Sequence, residues 1–201
     1  MFVNWSSREI IFKIVYYGPA LSGKTTNLKY VYNRLDPSLR GGLVTLQTRE
    51  ERTLFFDFMQ LQLGEIQGKK PRFNLYTVPG QSYYAYSRRI ILNGADGIVF
   101  VADSQRARLD DNLESLLDLE QHLIEQGRTI RSIPFVLQYN KRDLQEILPI
   151  EHLERKLNYY GMPFFASVAT EGTGVMETLR AVLHRVIENA QTGATVQHRA
   201  G

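Results

Sequence analysis

Apolar positions along the chain follow two patterns, short apolar runs and longer runs with helical spacing. Continuous apolar runs are typical of strands buried on both faces of a parallel sheet. Helical spacing predicts helices that bury one side. The predicted strands span residues 9–17, 54–66, 72–77, 97–102, 135–139 and 164–168, and the predicted helices span residues 26–35, 88–93, 108–126, 150–159 and 175–190.

Strands and helices alternate along the chain, which predicts a single α/β domain with a mostly parallel six-stranded sheet and helices on both faces. Residues 54–66 begin with a dense apolar run and then alternate apolar and polar positions from Met59 to Leu63, so we expect a strand with one solvated face. It should form an antiparallel hairpin with 72–77 at the sheet edge. In the third helix, Leu117 is among the leucines expected to face the core. The domain should span 1–190, with a polar lead-in at 1–8, an additional short strand at 43–46 and a disordered tail at 191–201.

The composition is ordinary for a globular domain, with 43% apolar and 22% charged residues among 201. The chain has no cysteine, which excludes disulfides, thiolate metal sites and lipid anchors on cysteine. Because there is no long apolar run and no signal-peptide layout, we expect a cytoplasmic protein without a stable membrane anchor. The net charge is only +3, so the basic clusters at 69–72 and 88–89 predict solvated surface and no nucleic-acid partner.

Residues 18–25 read Gly-Pro-Ala-Leu-Ser-Gly-Lys-Thr and match the phosphate-loop pattern G-x-x-x-x-G-K-[ST]. The pattern lies between a predicted strand and a predicted helix, which disfavours a glycine-rich turn with a chance lysine. Backbone N–H groups of such a loop surround an anion at the helix N-terminus. We expect Lys24 to reach the β and γ phosphates and the Thr25 hydroxyl to bind Mg²⁺. The predicted phosphate-binding residues of this loop are Gly18, Ala20, Leu21, Ser22, Gly23, Lys24, Thr25 and Thr26.

Asn140, Lys141 and Asp143 form an N-K-x-D pattern directly after the predicted strand 135–139. A carboxylate only accepts hydrogen bonds, and guanine offers two adjacent donors where adenine offers none, so Asp143 would select guanine. We expect Asn140 to contact the other edge of the base, the stem of Lys141 to cover its face, and the Ala169 N–H to donate to O6. Alone, the tetrapeptide is compatible with a simple turn. With a phosphate loop at the same sheet edge, it predicts a guanine pocket.

Together these motifs resemble the Ras-like small GTPases, and more closely their bacterial MglA type, over residues 8–190. The resemblance is carried by G-P-x-L-S-G-K-T-T-N-L, R-T-L-F-F-D-F, T-V-P-G-Q, V-A-D-S, N-K-R-D and A-T-E-G, in that order. It implies a P-loop GTPase that binds GTP and Mg²⁺ and regulates bacterial cell polarity and gliding motility. An ADP-ribosylation-factor-like identity is an alternative. It is disfavoured because no amphipathic helix is evident before the first strand.

The resemblance also assigns roles to residues outside the two binding loops. Thr53 matches the switch-I threonine that contacts Mg²⁺ and the γ-phosphate, and Gly80 matches the switch-II glycine whose N–H meets the γ-phosphate. Gln81 matches the glutamine that orients the attacking water. Arg52 matches an arginine supplied by the same chain to the leaving oxygen, although sequence alone favours an ion pair with a neighbouring glutamate. The implied catalytic residues are Gln81, Arg52, Lys24 and Thr53, and the implied metal ligands are Thr25 and Thr53.

Two positions depart from the Ras-like pattern. Thr77 stands where most of these proteins have the aspartate of D-x-x-G, which removes a carboxylate near Mg²⁺ and predicts weaker magnesium binding. Ala20 stands where the loop usually has glycine, and its methyl group would point toward the γ-phosphate and Gln81. We therefore expect normal GTP binding and slow hydrolysis. The alternative is a GTP-bound adaptor that does not hydrolyse; a phosphotransferase is disfavoured because neither a lid nor an acceptor pocket is evident.

Partners follow from the resemblance as well. We expect a roadblock-type, MglB-like dimer that accelerates hydrolysis, and polarity or motility effectors that bind the GTP form of a monomer recruited to a cell pole. Loss of the γ-phosphate would release the loops of Thr53 and Gly80 and alter the hairpin. Tyr83, Tyr84 and Tyr86 form a candidate contact surface, with local packing beneath switch II as the alternative.

Overall fold

The computed structural model describes residues 2–4, 9–46, 56–65, 68–81 and 84–198, with the backbone alone for residues 2–4, 46 and 193–198. The strands in these ranges are β1 (Phe2–Asn4), β2 (Glu9–Tyr17), β3 (Val44–Leu46), β4 (Phe56–Gln62), β5 (Lys70–Thr77), β6 (Gly97–Asp103), β7 (Phe135–Asn140) and β8 (Phe164–Ala166). The α-helices are α1 (Lys24–Arg34), α2 (Ala85–Leu92), α3 (Leu109–Glu125), α4 (Ile150–Leu157) and α5 (Val175–His198). The predicted α/β class is confirmed.

One sheet contains the described strands in the order β3-β4-β5-β2-β6-β7-β8, with β1 paired to β2. The pairings from β5 across to β8 are parallel, and the pairings β1–β2, β3–β4 and β4–β5 are antiparallel. β6 and β7 are buried along their full length, as their continuous apolar runs predict. The carboxyl ends of the parallel strands meet at one edge of the sheet, where open α/β sheets bind ligands.

The two outer parts of the sheet differ from expectation. The antiparallel hairpin of β4 and β5 is present, but the short strand predicted at 43–46 pairs outside it, so β3 rather than the hairpin forms that edge. Phe2–Asn4 forms β1, where a polar lead-in was predicted. β6 pairs with β2 only from Ile14 onward, which leaves the first residues of β2 an open edge for β1. A three-residue strand is too short for its period to be seen in the sequence.

Helices cover both faces of the sheet, as predicted. α1 and α5 pack on one face through residues such as Leu28 and Val182. α2, α3 and α4 pack on the other through residues such as Leu92 and Leu153. Each face therefore has its own apolar layer, and the loops at the carboxyl edge rest on a rigid base.

Two helix details correct the sequence expectations. Leu117, expected to face the core, is 63% exposed, because the buried positions of α3 follow Leu116, Leu119 and Leu123 at helical spacing. α5 continues to His198, so residues 191–198, predicted as a disordered tail, are helical. Within the described ranges, no helix combines the length and apolar character needed to cross a membrane.

Candidate functional site

Residues 18–23 connect β2 to α1 at the carboxyl edge of the sheet. Gly23 has φ of 105°, and a Cβ there would lie 2.1 Å from Nδ2 of Asn140, so only glycine allows the loop this close to β7. Within the described residues no side chain caps the first turn of α1, and that turn contains no acidic residue. Its N–H groups and the positive helix end are therefore suited to an anion.

The loop also contains a residue in a costly backbone conformation. Leu21 has φ of 63° with an exposed side chain, although left-handed geometry disfavours a non-glycine residue by roughly 1–2 kcal/mol. Such outliers cluster at ligand-binding sites. The neighbouring Ser22 is fully buried, and its hydroxyl lacks a hydrogen-bond partner among the described residues. Both features are consistent with a loop shaped for a ligand rather than for its own stability.

Lys24 is buried and folded back onto the phosphate loop. Its Nζ donates hydrogen bonds to the carbonyl oxygens of Gly18 and Pro19 at 2.8 and 2.6 Å. Burial, and secondly the charge of Arg88, lower the pKa of Lys24 to about 7, while Asp57 opposes the shift. An anion next to Nζ would favour the charged form again. Phosphate binding and protonation of this lysine are therefore coupled.

A buried carboxylate that sequence reasoning did not single out lies beside the loop. Asp57 of β4 is 4% exposed and accepts hydrogen bonds from the hydroxyls of Thr25 at 2.5 Å, Thr45 at 2.8 Å and Thr77 at 2.9 Å. Thr77 is the residue that replaces the usual aspartate, and here its hydroxyl holds Asp57. The sequence did contain one signal for this residue. Asp57 is a charged residue on the same, buried face of the alternating strand as Met59.

The oxygen atoms of Thr25 and Asp57 fit a magnesium ion. Mg²⁺ prefers hard oxygen ligands and usually binds through one or two protein groups together with substrate phosphates and water. A cluster of three or more histidine, aspartate or glutamate side chains suited to a metal is absent from the described residues. Thr53, the other predicted ligand, lies outside the described residues, as does Arg52.

The segment after β5 packs directly on the phosphate loop. A Cβ on Gly80 would lie 2.2 Å from the backbone nitrogen of Ala20, so this contact requires glycine. The next residue, Gln81, is exposed, and its backbone oxygen accepts a hydrogen bond from Nη1 of Arg88 at 2.5 Å. The carbonyl of Ala20 accepts another from Nη2 of Arg108 at 2.9 Å. The residue that departs from the Ras-like loop therefore contacts the segment that is expected to orient water.

A buried cluster supports this segment from below. Arg88 is buried, and its Nε donates to Oδ2 of Asp118 on α3 at 2.7 Å. The hydroxyl of Tyr17 donates to the same carboxylate oxygen at 2.5 Å and lies 3.3 Å from Nδ1 of His122. Burial and the charge of Asp118 raise the pKa of Tyr17, so its hydroxyl stays protonated. Since Tyr17 directly precedes the phosphate loop, the cluster connects Gln81 to the start of that loop.

These elements enclose a cavity of about 430 Å³ at the carboxyl edge. A groove of about 640 Å³ lies at the opposite edge, near Pro134 and Arg185, and includes none of the predicted site residues. We assign the chemistry to the smaller cavity because the predicted groups surround it. Its lining includes Ala20, Lys24, Thr25, Asp57, Gly80 and Gln81.

Asn140 connects the phosphate loop to the two loops expected to hold the base. It is buried at the end of β7, and its Nδ2 donates to the carbonyl oxygen of Ser22 at 2.8 Å. Its Oδ1 accepts hydrogen bonds from the hydroxyl of Ser167 and the N–H of Ala169, both at 2.9 Å. The Ala169 N–H, expected to face guanine O6, is thus engaged by Asn140. Asn140 itself joins loops rather than pointing into open space.

The other residues of the N-K-x-D pattern follow Asn140 in the loop after β7. Lys141 has φ of 65°, and its Nζ lies 2.6 Å from Oδ2 of the buried Asp103. Asp143 is exposed and makes no hydrogen bond or ion pair with any described residue. A free acceptor carboxylate suits the two donors on guanine.

Of the aromatic cluster near switch II, Tyr86 is 75% exposed on α2 and Tyr84 is partly buried at the start of that helix. Tyr83 lies outside the described residues. Tyr86 therefore belongs to the surface, while Tyr84 lines the cavity of the phosphate loop.

The amino-acid sequence is similar to one protein family and to several known proteins. A sequence model of the ADP-ribosylation factor family matches residues 2–186. The chain is 53% identical over 192 residues to the mutual gliding-motility protein MglA of Myxococcus xanthus (strain DK1622), covering 96% of this chain and 98% of that protein. It is 25% identical to the Ras-related protein Rab-32C of Dictyostelium discoideum, over 91% of this chain and 76% of the relative. It is 27% identical to the Ras-related protein RABA5b of Arabidopsis thaliana, over 90% and 77%.

Proposed function

The chain belongs to the ADP-ribosylation factor family and is an MglA-type, Ras-like small GTPase, and from this premise we propose that it is a slow, activator-dependent GTP switch for bacterial gliding motility and cell polarity. One arrangement carries the proposal. The phosphate loop, the Thr25–Asp57 pair, Gly80 and Asp143, which has no side-chain partner among the described residues, all lie at one edge of the sheet. That edge can hold the two ends of a single nucleotide.

GTP binding uses groups at both ends of this edge. The N–H groups of the first turn of α1 and Nζ of Lys24 contact the phosphates, and Asp143 accepts hydrogen bonds from guanine. Thr25, Asp57 and Thr53 are the residues that would hold Mg²⁺. Bound magnesium supplies positive charge that offsets the charge of the phosphate oxygens.

In hydrolysis, water attacks the γ-phosphorus, the bond from that phosphorus to the β–γ bridging oxygen breaks, and GDP and phosphate leave. Gln81 orients the water, and Arg52 stabilises the charge on the leaving oxygen from within the same chain. Arg88 holds the backbone of Gln81 through its carbonyl oxygen. Loss of the γ-phosphate then frees the segments of Thr53 and Gly80, which is the switching event.

A second candidate, a GTP-bound adaptor that does not hydrolyse, is favoured by one observation. Gly80 packs against the backbone of Ala20, and Ala20, whose methyl group a glycine would not have, lines the same cavity as Gly80 and Gln81. A small displacement of the water-orienting group costs large factors in rate. Phosphate release measured over hours separates the two functions: release that an activator accelerates supports the switch, and no release in either condition supports the adaptor.

The partners proposed for the GTP form are polarity or motility effectors, with a roadblock-type, MglB-like dimer as activator and recruitment of the monomer from the cytoplasm to a cell pole. Tyr86 offers an exposed aromatic contact next to switch II. In a strain that lacks this protein we expect loss of directed gliding. Normal gliding in that strain would contradict the cellular role without affecting nucleotide binding.

Nucleotide selectivity tests the biochemical part. We expect calorimetry with Mg²⁺ to show GTP binding at least about 10⁴-fold tighter than ATP, because adenine leaves the Asp143 carboxylate unpaired. Equal affinity for the two nucleotides, or no binding of either, would refute the proposed function.

A further inference from the structure

Three polar side chains lie buried between α1, β7 and α5, on the face of the sheet beneath the phosphate loop. Asn27 of α1, Gln138 of β7 and Thr178 of α5 are fully buried. Their neighbours in this layer are apolar, Leu28, Val136 and Leu179 among them. Polar groups at such positions need complete hydrogen bonding, because each unpaired buried group costs about 1–3 kcal/mol.

The hydrogen bonds among these side chains form a closed set. Nδ2 of Asn27 donates to Oε1 of Gln138 at 2.8 Å and to the carbonyl oxygen of Gly23 at 3.0 Å. Nε2 of Gln138 donates to Oδ1 of Asn27 at 2.9 Å and to the hydroxyl of Thr178 at 3.0 Å. The Thr178 hydroxyl donates to the carbonyl oxygen of Gly174 at 2.6 Å. All four amide hydrogens are therefore used. We call this set the amide bridge.

The ends of the amide bridge lie at the two halves of the nucleotide site. Gly23 is the last residue of the phosphate loop before α1. Gln138 lies two residues before Asn140 on β7, and Gly174 ends the loop that begins with Ala169. None of the three bridging side chains lines the cavity of the phosphate loop, so none is placed to contact the phosphates.

Stability alone does not account for the amide bridge. Replacing both partners of a buried neutral hydrogen bond by apolar groups of the same shape leaves stability nearly unchanged or raises it. Unlike apolar packing, hydrogen bonds fix the distance and orientation of the groups they join. The positions of Asn27 and Gln138 would otherwise suit the apolar residues of this layer.

We propose that the amide bridge is a positioning device that fixes the separation between the phosphate loop and the guanine-binding loops. Asn27, Gln138 and Thr178 are its positioning residues. A guanine nucleotide then finds the phosphate loop and the guanine-binding loops already at the right separation, and its binding does not have to order one relative to the other. This inference rests on the proposed binding of guanine nucleotides at this edge of the sheet.

The amide bridge should affect the affinity for ligands that span both halves of the nucleotide site, and not the affinity for ligands that occupy only one half. GDP contacts both, so its affinity includes the gain from two pre-aligned sites. Guanosine occupies only the base loops, and pyrophosphate with Mg²⁺ occupies only the phosphate loop. Loss of the bridge should weaken GDP and leave the two half-ligands nearly unchanged.

The decisive variant replaces the central pair together, Asn27→Leu with Gln138→Met, which keeps the layer filled and leaves no amide unpaired. We expect GDP to dissociate at least about tenfold faster than from the parent, the scale of measured couplings between linked sites. Guanosine and pyrophosphate affinities should stay within about twofold, since single-site contacts are retained.

Asn158→Ala is the matched control. Asn158 is another buried amide, bonded to the backbone of Met162 at 2.8 and 2.7 Å beyond the end of α4. Its loss should lower thermal stability and leave GDP dissociation unchanged. If both variants accelerate dissociation equally, the effect is general destabilisation and the proposal is wrong.

Thr178→Val provides a second test should the double variant not fold, because it removes a single hydroxyl from the bridge. Faster GDP dissociation from this variant supports the proposal, and dissociation at the parental rate overturns it. A parent protein that binds neither GDP nor GTP would instead refute the proposed function, so the two failures are distinguishable.

Discussion

At the scale of single residues, the proposed magnesium site has a carboxylate, Asp57, that comes from β4 and not from the position of Thr77. Thr77 stands where the Ras-like pattern has aspartate, and this substitution predicted weak magnesium binding. In the structure the Thr77 hydroxyl holds Asp57, which reaches Thr25 at 2.5 Å from a different strand. Asp57 thus brings a carboxylate to Thr25, and we propose that it takes over the role of the aspartate that Thr77 replaces.

Asp57→Asn tests this exchange. The amide can neither carry the charge nor accept all three hydroxyl donors, so we expect the Mg²⁺ concentration that half-maximally slows GDP release to rise about 10–100-fold, the usual cost of losing a group that supports a metal ligand. Thr45→Val is the control, because it removes one hydrogen bond to Asp57 at 2.8 Å and keeps the carboxylate. An unchanged magnesium requirement in Asp57→Asn would show that this carboxylate does not serve the metal.

Ala20 is the residue that limits hydrolysis on our account. Ala20→Gly removes a methyl group from a residue that lines the same cavity as Gly80 and Gln81. We expect single-turnover hydrolysis of bound GTP to become at least about tenfold faster, with GTP affinity changed less than about threefold. Ala20→Val is the opposing variant and should slow hydrolysis further. If Ala20→Gly hydrolyses GTP no faster than the parent, the slow rate has another origin.

Lys24 should make nucleotide binding dependent on pH. Its pKa is about 7 in the free protein and 10.5 when unperturbed. Bound phosphates keep the lysine charged, so above about pH 7 binding takes up as much as one proton, and affinity falls as pH rises toward 10.5. Calorimetry in buffers of different ionisation enthalpy measures this uptake directly.

The lowered pKa of Lys24 also makes the stability of the nucleotide-free protein depend on pH. Between about pH 7 and 10.5 the unfolded chain keeps the proton that the folded, nucleotide-free protein has lost at Lys24. The contribution of this lysine to stability therefore rises with pH in that window. Nucleotide binding without proton uptake there would show that Lys24 is already charged in the free protein.

At the scale of elements, α2 is the helix that connects switch II to the rest of the molecule. Its inner side is held by the pair of buried Arg88 and half-buried Asp118, and its outer end by the exposed pair of Arg89 and Glu125 at 3.1 Å. Exposed ion pairs contribute little, and a pair costs more to break when the loss leaves a buried charge such as that of Arg88 without its partner. The position of Gln81 should therefore depend on the inner pair.

Asp118→Asn and Glu125→Gln compare the two pairs. We expect Asp118→Asn to slow single-turnover hydrolysis about tenfold or more while GDP affinity stays close to that of the parent, because Arg88 then holds the Gln81 carbonyl less firmly. Glu125→Gln should leave both quantities unchanged. Equal rates in all three proteins would show that the tether does not position switch II.

At the scale of the whole molecule, the nucleotide site belongs to one cooperative unit. β2, β5, β6, β7 and β8 all end at it, and helices on both faces share the apolar layers beneath. A ligand that binds only this folded arrangement stabilises the entire domain by mass action. Nucleotide binding should therefore appear in global unfolding.

GTP with Mg²⁺ at about 100 times its dissociation constant should add about 2.7 kcal/mol to the free energy of unfolding. For a domain of this size that corresponds to a rise in Tm of about 5–10 °C. ATP at the same concentration serves as the control and should leave Tm unchanged. Equal shifts with both nucleotides would contradict selection of guanine.

The sequence by itself determined the α/β class, most of the strands and helices, and the two binding loops. These features are written in consecutive residues: apolar runs set β6 and β7, and the spacing of glycine and lysine sets residues 18–25. Short patterns suffice for these features because the backbone conformation of a segment and the burial of a strand depend mainly on neighbouring residues. The loops that contain Lys24 and Asn140 could therefore be assigned to the same edge of the sheet.

Only the tertiary structure decided which polar groups meet beneath that edge. Asp57 and Thr25 are 32 residues apart, Tyr17 and Asp118 are 101, and Asn27 and Gln138 are 111. In the sequence, each member of these pairs stands far from its partner. The order of the strands and the packing of the helices decide which two residues meet, and no pattern of neighbouring residues contains that information. Hydrogen bonds act over about 3 Å, so their partners follow from the assembled fold.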